Sequence, residues 1–437
     1  MNWEAIYRRK VTDIDTALAG VKSNDRVYVA GGAGVPIKLI DGLMRRASTA
    51  AGQPPLRNVE IVHILTFAEA PYVAPQYEGI FRHNALFIGH NVRQAVQEGR
   101  ADFTPVFLYE IPSLFRNGIL PIDVALISLT APDEHGFCSF GVEVGTTRPA
   151  AEAARMVIAE VNRQMPRTLG DSFIHASRLD RVVEVDYPLP EAPQGGSSEL
   201  HMRIGEHIAE MIPDGATLQM GLGNIPDAVL KNLKNHKDLG VHTELFSDGV
   251  IDMVEAGVIT CARKTFHTDK IVAGFLFGSE RLYRFVHNNP MIELHPTDYV
   301  NDLFNISRND NMVAINSTLQ VDLTGQVCSD SIGSRFYSGA GGQVDFIRGA
   351  ARSKGGKPII ALLSTAKEGT ISRIVPMLSQ GAGVVTTRND VHYIVTEHGV
   401  ASLHGKTVRQ RAKELINIAD PKFRDELAST ARELGYL

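Results

Sequence analysis

The chain is poor in whatever would staple it, thread it through a membrane or hold it on nucleic acid. Its 437 residues include three cysteines, Cys138, Cys261 and Cys328, widely spaced and without a CxxC pair. That excludes a disulfide framework and the common zinc spacings, and fits a reducing compartment. No apolar run approaches the roughly 20 residues that span a bilayer. The first ten residues, MNWEAIYRRK, lack the apolar stretch of a signal peptide, so a cytoplasmic protein is expected. There is no basic excess either: 44 Lys and Arg face 49 Asp and Glu, a net charge of −5, which argues against a general nucleic-acid binder. An anionic ligand would have to be held locally, by helix N-termini and a few cations. HExxH and GxSxG are absent, and the fifteen histidines show no ligand spacing. No metal and no permanently bound cofactor are expected.

What is present is an internal echo. Residues 24–43 (NDRVYVAGGAGVPIKLIDGL) align without gaps to 214–233 (DGATLQMGLGNIPDAVLKNL), sharing Gly31/Gly221, Pro36/Pro226 and Leu43/Leu233. Each copy reads as a strand, a glycine turn and a helix begun by proline, which suits the first helical position because its missing N–H has no partner there. Four further echoes follow in order: Val62–Leu65 with Val241–Glu244, Val124–Ser139 with Met312–Ser329, Val157–Glu160 with Ile359–Leu362, and Asp180–Val185 with Asp390–Val395. Five ordered matches predict a duplicated α/β protein, two similar domains with largely parallel sheets. The boundary falls in the Pro- and Gly-rich stretch 186–197, giving domains 1–190 and 191–437. Beyond residue 405 a helical period through Val408, Ala412, Leu415 and Ile416 predicts a helix, and Asp420-Pro421 reads as the cap and start of a final one.

Where a duplicated pair binds a ligand, chemistry tends to sit beyond the strand C-termini. At the matched strand end the first half has Ile64-Leu65 and the second Thr243-Glu244. Ser247-Asp248-Gly249 is turn chemistry, which places Glu244 near a strand tip, as either a surface carboxylate or a reactive one. The turn Gly221-Leu222-Gly223-Asn224-Ile225 is either a tight strand-to-helix connection or a cradle of free N–H groups for an anion or oxyanion. A second turn, Ser338-Gly339-Ala340-Gly341-Gly342, lets a ligand approach the backbone closely or is simply a loop. Neither half completes GxGxxG, because Pro36 and Pro226 stand at the third glycine. Gly405-Lys406-Thr407 lacks the first P-loop glycine, Val400 standing there. Cys138 reads as a packed strand residue rather than a nucleophile.

Together, GLGNIPDAVL (221–230), HTELFSDGVIDMVEAGVI (242–259), SDSIG (329–333), SGAGGQVDFIRGA (338–350) and TEHGVASLHGKTVRQRAKELINIADPKF (396–423) resemble the acetyl-CoA hydrolase/transferase family of class I CoA-transferases, with greatest likeness to its 4-hydroxybutyrate-using members. The resemblance spans the whole chain. It implies two similar α/β domains with the active site between them, and a homodimer. It implies Glu244 as catalytic glutamate with Asn316 and Glu397 as supporting polar residues. It places coenzyme A on Gly221, Leu222, Gly223, Asn224 and Ile225, with Gly341 and Gly342 near the thioester and Ser364 and Lys367 as further contacts. The expected substrates are short-chain acyl-CoA and a carboxylate such as acetate. The expected route is ping-pong through a glutamyl-CoA thioester. An acyl-CoA hydrolase and a non-catalytic acyl-CoA binder are the rival readings. The first-half turn Gly31-Gly32-Ala33-Gly34 is richer in glycine than the 4-hydroxybutyrate pattern, which leaves the acid specificity open.

Overall fold

Short strands alternate with helices and turns and wind this chain into largely parallel sheets. The computed structural model describes residues 2–47, 55–193 and 195–437, so Gln194 of the expected linker lies outside the described residues. Two compact units result, Met1–Ala192 with Val272–Val300, and Pro193–Ile271 with Asn301–Leu437. The first unit thus takes back a segment from the second half of the sequence. Hydrogen bonds hold it there, Leu276 N to Val142 O at 2.8 Å and Val144 N to Gly274 O at 3.1 Å.

The first unit is built on strands β1 (Arg26–Val29), β2 (Val59–His63), β3 (Phe81–Ala85), β4 (Asp102–Phe103), β5 (Val124–Leu129), β6 (Met156–Asn162) and β7 (Arg181–Val185). They form one seven-stranded sheet in the order β7-β6-β5-β1-β2-β3-β4, parallel throughout. Strand β5 is buried at every position, as expected for a strand covered on both faces. The second unit contains β8 (Thr217–Met220), β9 (Gly240–Val241), β10 (Met312–Ser317), β11 (Lys357–Ala361), β12 (Tyr393–Thr396) and β13 (Gly399–Ser402), in the order β9-β8-β10-β11-β12-β13. All pairs are parallel except the β12–β13 hairpin.

The five echoes are five strands in the same sheet order. Even the register repeats: Val27 lies opposite Val124 as Thr217 lies opposite Met312, and Tyr28 opposite Val62 as Leu218 opposite Val241. The next strand is displaced from the sequence alignment by two residues. Ala125 faces Val157 while Val313 faces Lys357, so Glu160 corresponds to Ile360 rather than Leu362. A two-residue slip keeps every side chain on its own face, so the hydrophobic pattern could not reveal it.

Helix α1 (Ile37–Arg46) follows the first glycine turn and α2 (Asn224–Asn232) the second; α3 (Gln343–Arg352) follows the Gly341-Gly342 turn. Proline is not the first residue of either of the first two: Pro36 is the N-cap of α1, and Pro226 is the third residue of α2. None of the first four helical N–H groups has an intrahelical partner, so proline is accepted at any of these positions. At the C-terminus α4 (Val408–Asn417) buries Ala412, Leu415 and Ile416 and leaves Val408 exposed. The Asp420 side chain caps a 3-10 turn, Pro421–Phe423, that runs into α5 (Arg424–Glu433). Among the described residues no helix is long and apolar enough to cross a membrane. Cys138 is buried on a short strand, Phe137–Ser139, and burial pushes its thiol up to about 12.

Candidate active site

The expected site residues of the second unit lie at or just beyond the carboxyl ends of successive strands. Gly221 follows β8, Glu244 lies just beyond β9, Asn316 is the penultimate residue of β10, Ser364 lies just beyond β11 and Glu397 follows β12. Parallel strands all end on one edge of a sheet, which is where this fold class binds ligands.

Glu244 sits on the bend between β9 and the next extended pair, Leu245–Phe246. The residue keeps some solvent contact, and its carboxyl accepts from the Gly342 backbone N–H and from the side chain of Asn301. Burial pushes the carboxyl up to about 7, against the pull of those two donors. Gly341 has φ +54° and Gly342 is the N-cap of α3, so the glutamate rests on the positive end of a ten-residue helix. A Cβ on Gly342 would collide with Glu244 Oε2 and Asn301 Nδ2. The second glycine turn is therefore a close approach of backbone to the Glu244 carboxyl.

Asn316 donates through Nδ2 to Gln219 Oε1 at 3.0 Å, linking β10 to β8. Glu397 is 2% exposed and accepts from Ser364 twice, from N at 2.9 Å and Oγ at 2.6 Å. Two residues assigned to separate tasks, support and coenzyme A contact, are thus one bonded pair. Lys367 is exposed in the turn between the strands Thr365–Ala366 and Ile371–Ser372, with φ +47°. Leu222, Gly223 and Asn224 are exposed while Ile225 is buried. Open space lies above the α carbons of Gly221 and Gly223.

The first unit treats its matching turn differently. Glu143, 1% exposed, fills it: the carboxyl accepts from Thr146 N at 3.0 Å, from the Thr147 hydroxyl and from Gly31 N–H. Glu160, fully buried, occupies the N-terminus of α1, accepting from Leu39 N at 2.5 Å and from the Tyr187 hydroxyl. At the equivalent position the second unit has Ile360, and α2 starts at Gly223 without a side-chain cap. One helix start is closed by a carboxyl of the chain itself, and its twin has no side-chain cap.

Two neighbours escaped sequence reasoning. Asn301 lies in the plain stretch YVNDLF, and Gln219 inside a strand; neither carries a motif, and only the folded contacts single them out.

Two family models match the chain. The acetyl-CoA hydrolase/transferase N-terminal domain matches residues 1–190, and the C-terminal domain of the same family matches residues 278–431. The chain belongs to the acetyl-CoA hydrolase/transferase family, and it is an enzyme of the CoA-transferase kind. Among named relatives, a 4-hydroxybutyrate coenzyme A transferase from Clostridium kluyveri is 53% identical over 98% of both chains. The crystal structure of a 4-hydroxybutyrate CoA-transferase from Porphyromonas gingivalis superimposes with a TM-score of 0.85 at 43% identity, over 99% of this chain and all of the other. An acetyl-CoA hydrolase from Neurospora crassa is 27% identical over 76% of this chain and 70% of its own.

Proposed function

We propose that the protein transfers coenzyme A from a short-chain acyl-CoA, such as 4-hydroxybutyryl-CoA or butyryl-CoA, to a carboxylate such as acetate, through a glutamyl-CoA thioester on Glu244. The ionised carboxylate attacks the thioester carbonyl, giving a mixed anhydride and coenzyme A thiolate. The thiolate attacks the Glu244 acyl carbon, forming the glutamyl thioester and releasing the first acid. An incoming carboxylate attacks that thioester and runs the two steps in reverse. The acyl bond energy is conserved, so no nucleotide is consumed.

The observation that carries this reading is a glutamate seated on a helix N-terminus at a strand edge, partly open to solvent. Each tetrahedral intermediate bears an oxyanion, and the glycine-turn N–H groups with Asn316 are the donors we assign to it; losing one such donor typically costs about 10²–10³ in rate. We assign coenzyme A to Gly221–Ile225, Ser364 and Lys367, where an unclosed helix start and an exposed ammonium suit an anion. Asn316 and Glu397 support the reaction without covalent change, Glu397 by fixing Ser364. A cytoplasmic homodimer completes the proposal.

Glu244→Gln should fold and lose essentially all transfer. Borohydride treatment of the acyl-CoA-loaded enzyme should yield a reduced Glu244 peptide; an unmodified peptide would sink the covalent step. The hydrolase relative motivates a second reading in which water resolves the thioester. It predicts acyl-CoA loss at the same rate with and without acetate, whereas a transferase accelerates on adding acetate.

A further inference from the structure

The amide that holds Glu244 is itself held. Asn301 is fully buried, and its Nδ2 donates to Asp345 Oδ2 at 3.2 Å as well as reaching Glu244. Asp345, 2% exposed, lies in the first turn of α3, the helix whose N-cap is Gly342. Asn301 Oδ1 points into the interior without a hydrogen-bond partner. An unmet buried acceptor is costly, and a side chain kept for packing alone would not need to bear it. The arrangement makes sense as orientation. An amide NH₂ has two hydrogens, and placed between two carboxyls it gives one to each. Turned over, it would set its Oδ1 against both.

We infer that Asp345 and Asn301 are a positioning pair for the nucleophile: Asp345 fixes the Asn301 amide, and the amide fixes the Glu244 carboxyl against the Gly342 N–H. The inference rests on Glu244 being the nucleophile. Asp345 joins the cluster through Asn301. His242, two residues before Glu244, packs edge-on to Phe346 of α3 at 6.2 Å, and the Lys264 ammonium is bound to Val241 O at 2.9 Å. Of these, only Asp345 sits on the Asn301 amide.

The test is a set of variants, Glu244→Ala, Asn301→Ala, Asp345→Ala, Asp345→Asn and the double alanine, followed by kcat, KM, thermal stability and the pH profile of kcat/KM. Asn301→Ala should lower kcat about 10²-fold, the scale of a misplaced reacting group, leave KM for acyl-CoA within about threefold, and move the acid limb to higher pH. Asp345→Ala should lower kcat in the same way, and the double variant should be no worse than Asn301→Ala. Asp345→Asn, which still offers Asn301 an acceptor, should retain most activity. Losses that add in the double variant, with an acid limb unmoved in Asn301→Ala, would reduce the pair to structural support and overturn the inference. If Asn301→Ala fails to fold, the two Asp345 variants decide the matter: lost kcat in Asp345→Ala with retained kcat in Asp345→Asn supports the pair, and equal kcat in both overturns it. Full transfer by Glu244→Ala would remove the parent reading. A dead Glu244→Ala beside an undisturbed Asn301→Ala would remove this inference alone.

Discussion

At Glu244, enclosure and reactivity pull in opposite directions. A glutamate in water ionises near 4.3 and would be wholly ionised at neutrality, needing no base to make it a nucleophile. Burial holds this one up at about 7, so at pH 6 only about a tenth carries the reactive charge. On the proposed role of Glu244 the ionised form reacts, so kcat/KM should rise roughly tenfold per pH unit below 7 and level off above it. A flat profile from pH 5.5 to 8 would contradict this. Gly342 gives a second test of the same contact. Alanine there would drive its methyl into Glu244 Oε2 and the Asn301 amide, and displacing a reacting carboxyl by about 1 Å can cost 10²-fold. Gly342→Ala should therefore lose activity on that scale while Gly341 and α3 remain folded by circular dichroism. The place of Glu244 beyond a strand tip was legible in the sequence, because its twin position holds Leu65 and the difference of charge marks that end. Asn301 was not, since nothing local distinguishes an asparagine that aims at a distant carboxyl from one that does not.

Among the elements, the two glycine turns show which features a sequence fixes and which only contacts decide. A strand, a turn and a helix could be read from 24–43 and 214–233 because β-branched residues, glycines and a proline fall in the order those elements require. The starting residue of each helix could not, because proline is equally acceptable anywhere in the first turn. The opposite states of the two helix starts were hidden too, since Glu160 arrives from a strand 121 residues beyond Leu39. The open turn makes a paired prediction. Gly223 has φ +121° and ψ −177°, a region open almost only to glycine, and a side chain there costs about 1–3 kcal/mol. Gly221 has neither that backbone strain nor any atom within 4 Å of an added Cβ. Gly223→Ala should destabilise the second unit by that amount. Gly221→Ala should leave the melting temperature unchanged and raise KM for acyl-CoA, the reading expected if a ligand lies against the α carbon. Loss of stability in Gly221→Ala with unchanged KM would place coenzyme A elsewhere.

Over the whole molecule, titration of buried groups sets two slopes against each other within the first unit. Burial pushes Glu143 and Glu160 up to about 7. The stability each contributes is present below about 4.5 and is lost as pH rises through 7. The stacked imidazoles of His63 and His83, 4.1 Å apart between β2 and β3, are driven down, His83 to about 4 and His63 well below its ordinary value, chiefly by burial. Their contribution is present above about 6.5 and is lost as pH falls through the folded values. Between pH 5 and 7 the two carboxyls weaken the fold with rising pH while the two histidines strengthen it. Glu244, itself raised to about 7, adds a further falling slope from the second unit, and the wild-type profile is the resultant of these opposed slopes. Glu143→Gln removes one falling slope, so its stability should climb with pH relative to the wild type. His83→Phe keeps a ring against His63 but removes one rising slope, so its stability should decline relative to the wild type over the same range. Urea unfolding at pH 5, 6, 7 and 8 checks both. Parallel curves for all three proteins would mean that these groups do not titrate in the folded chain.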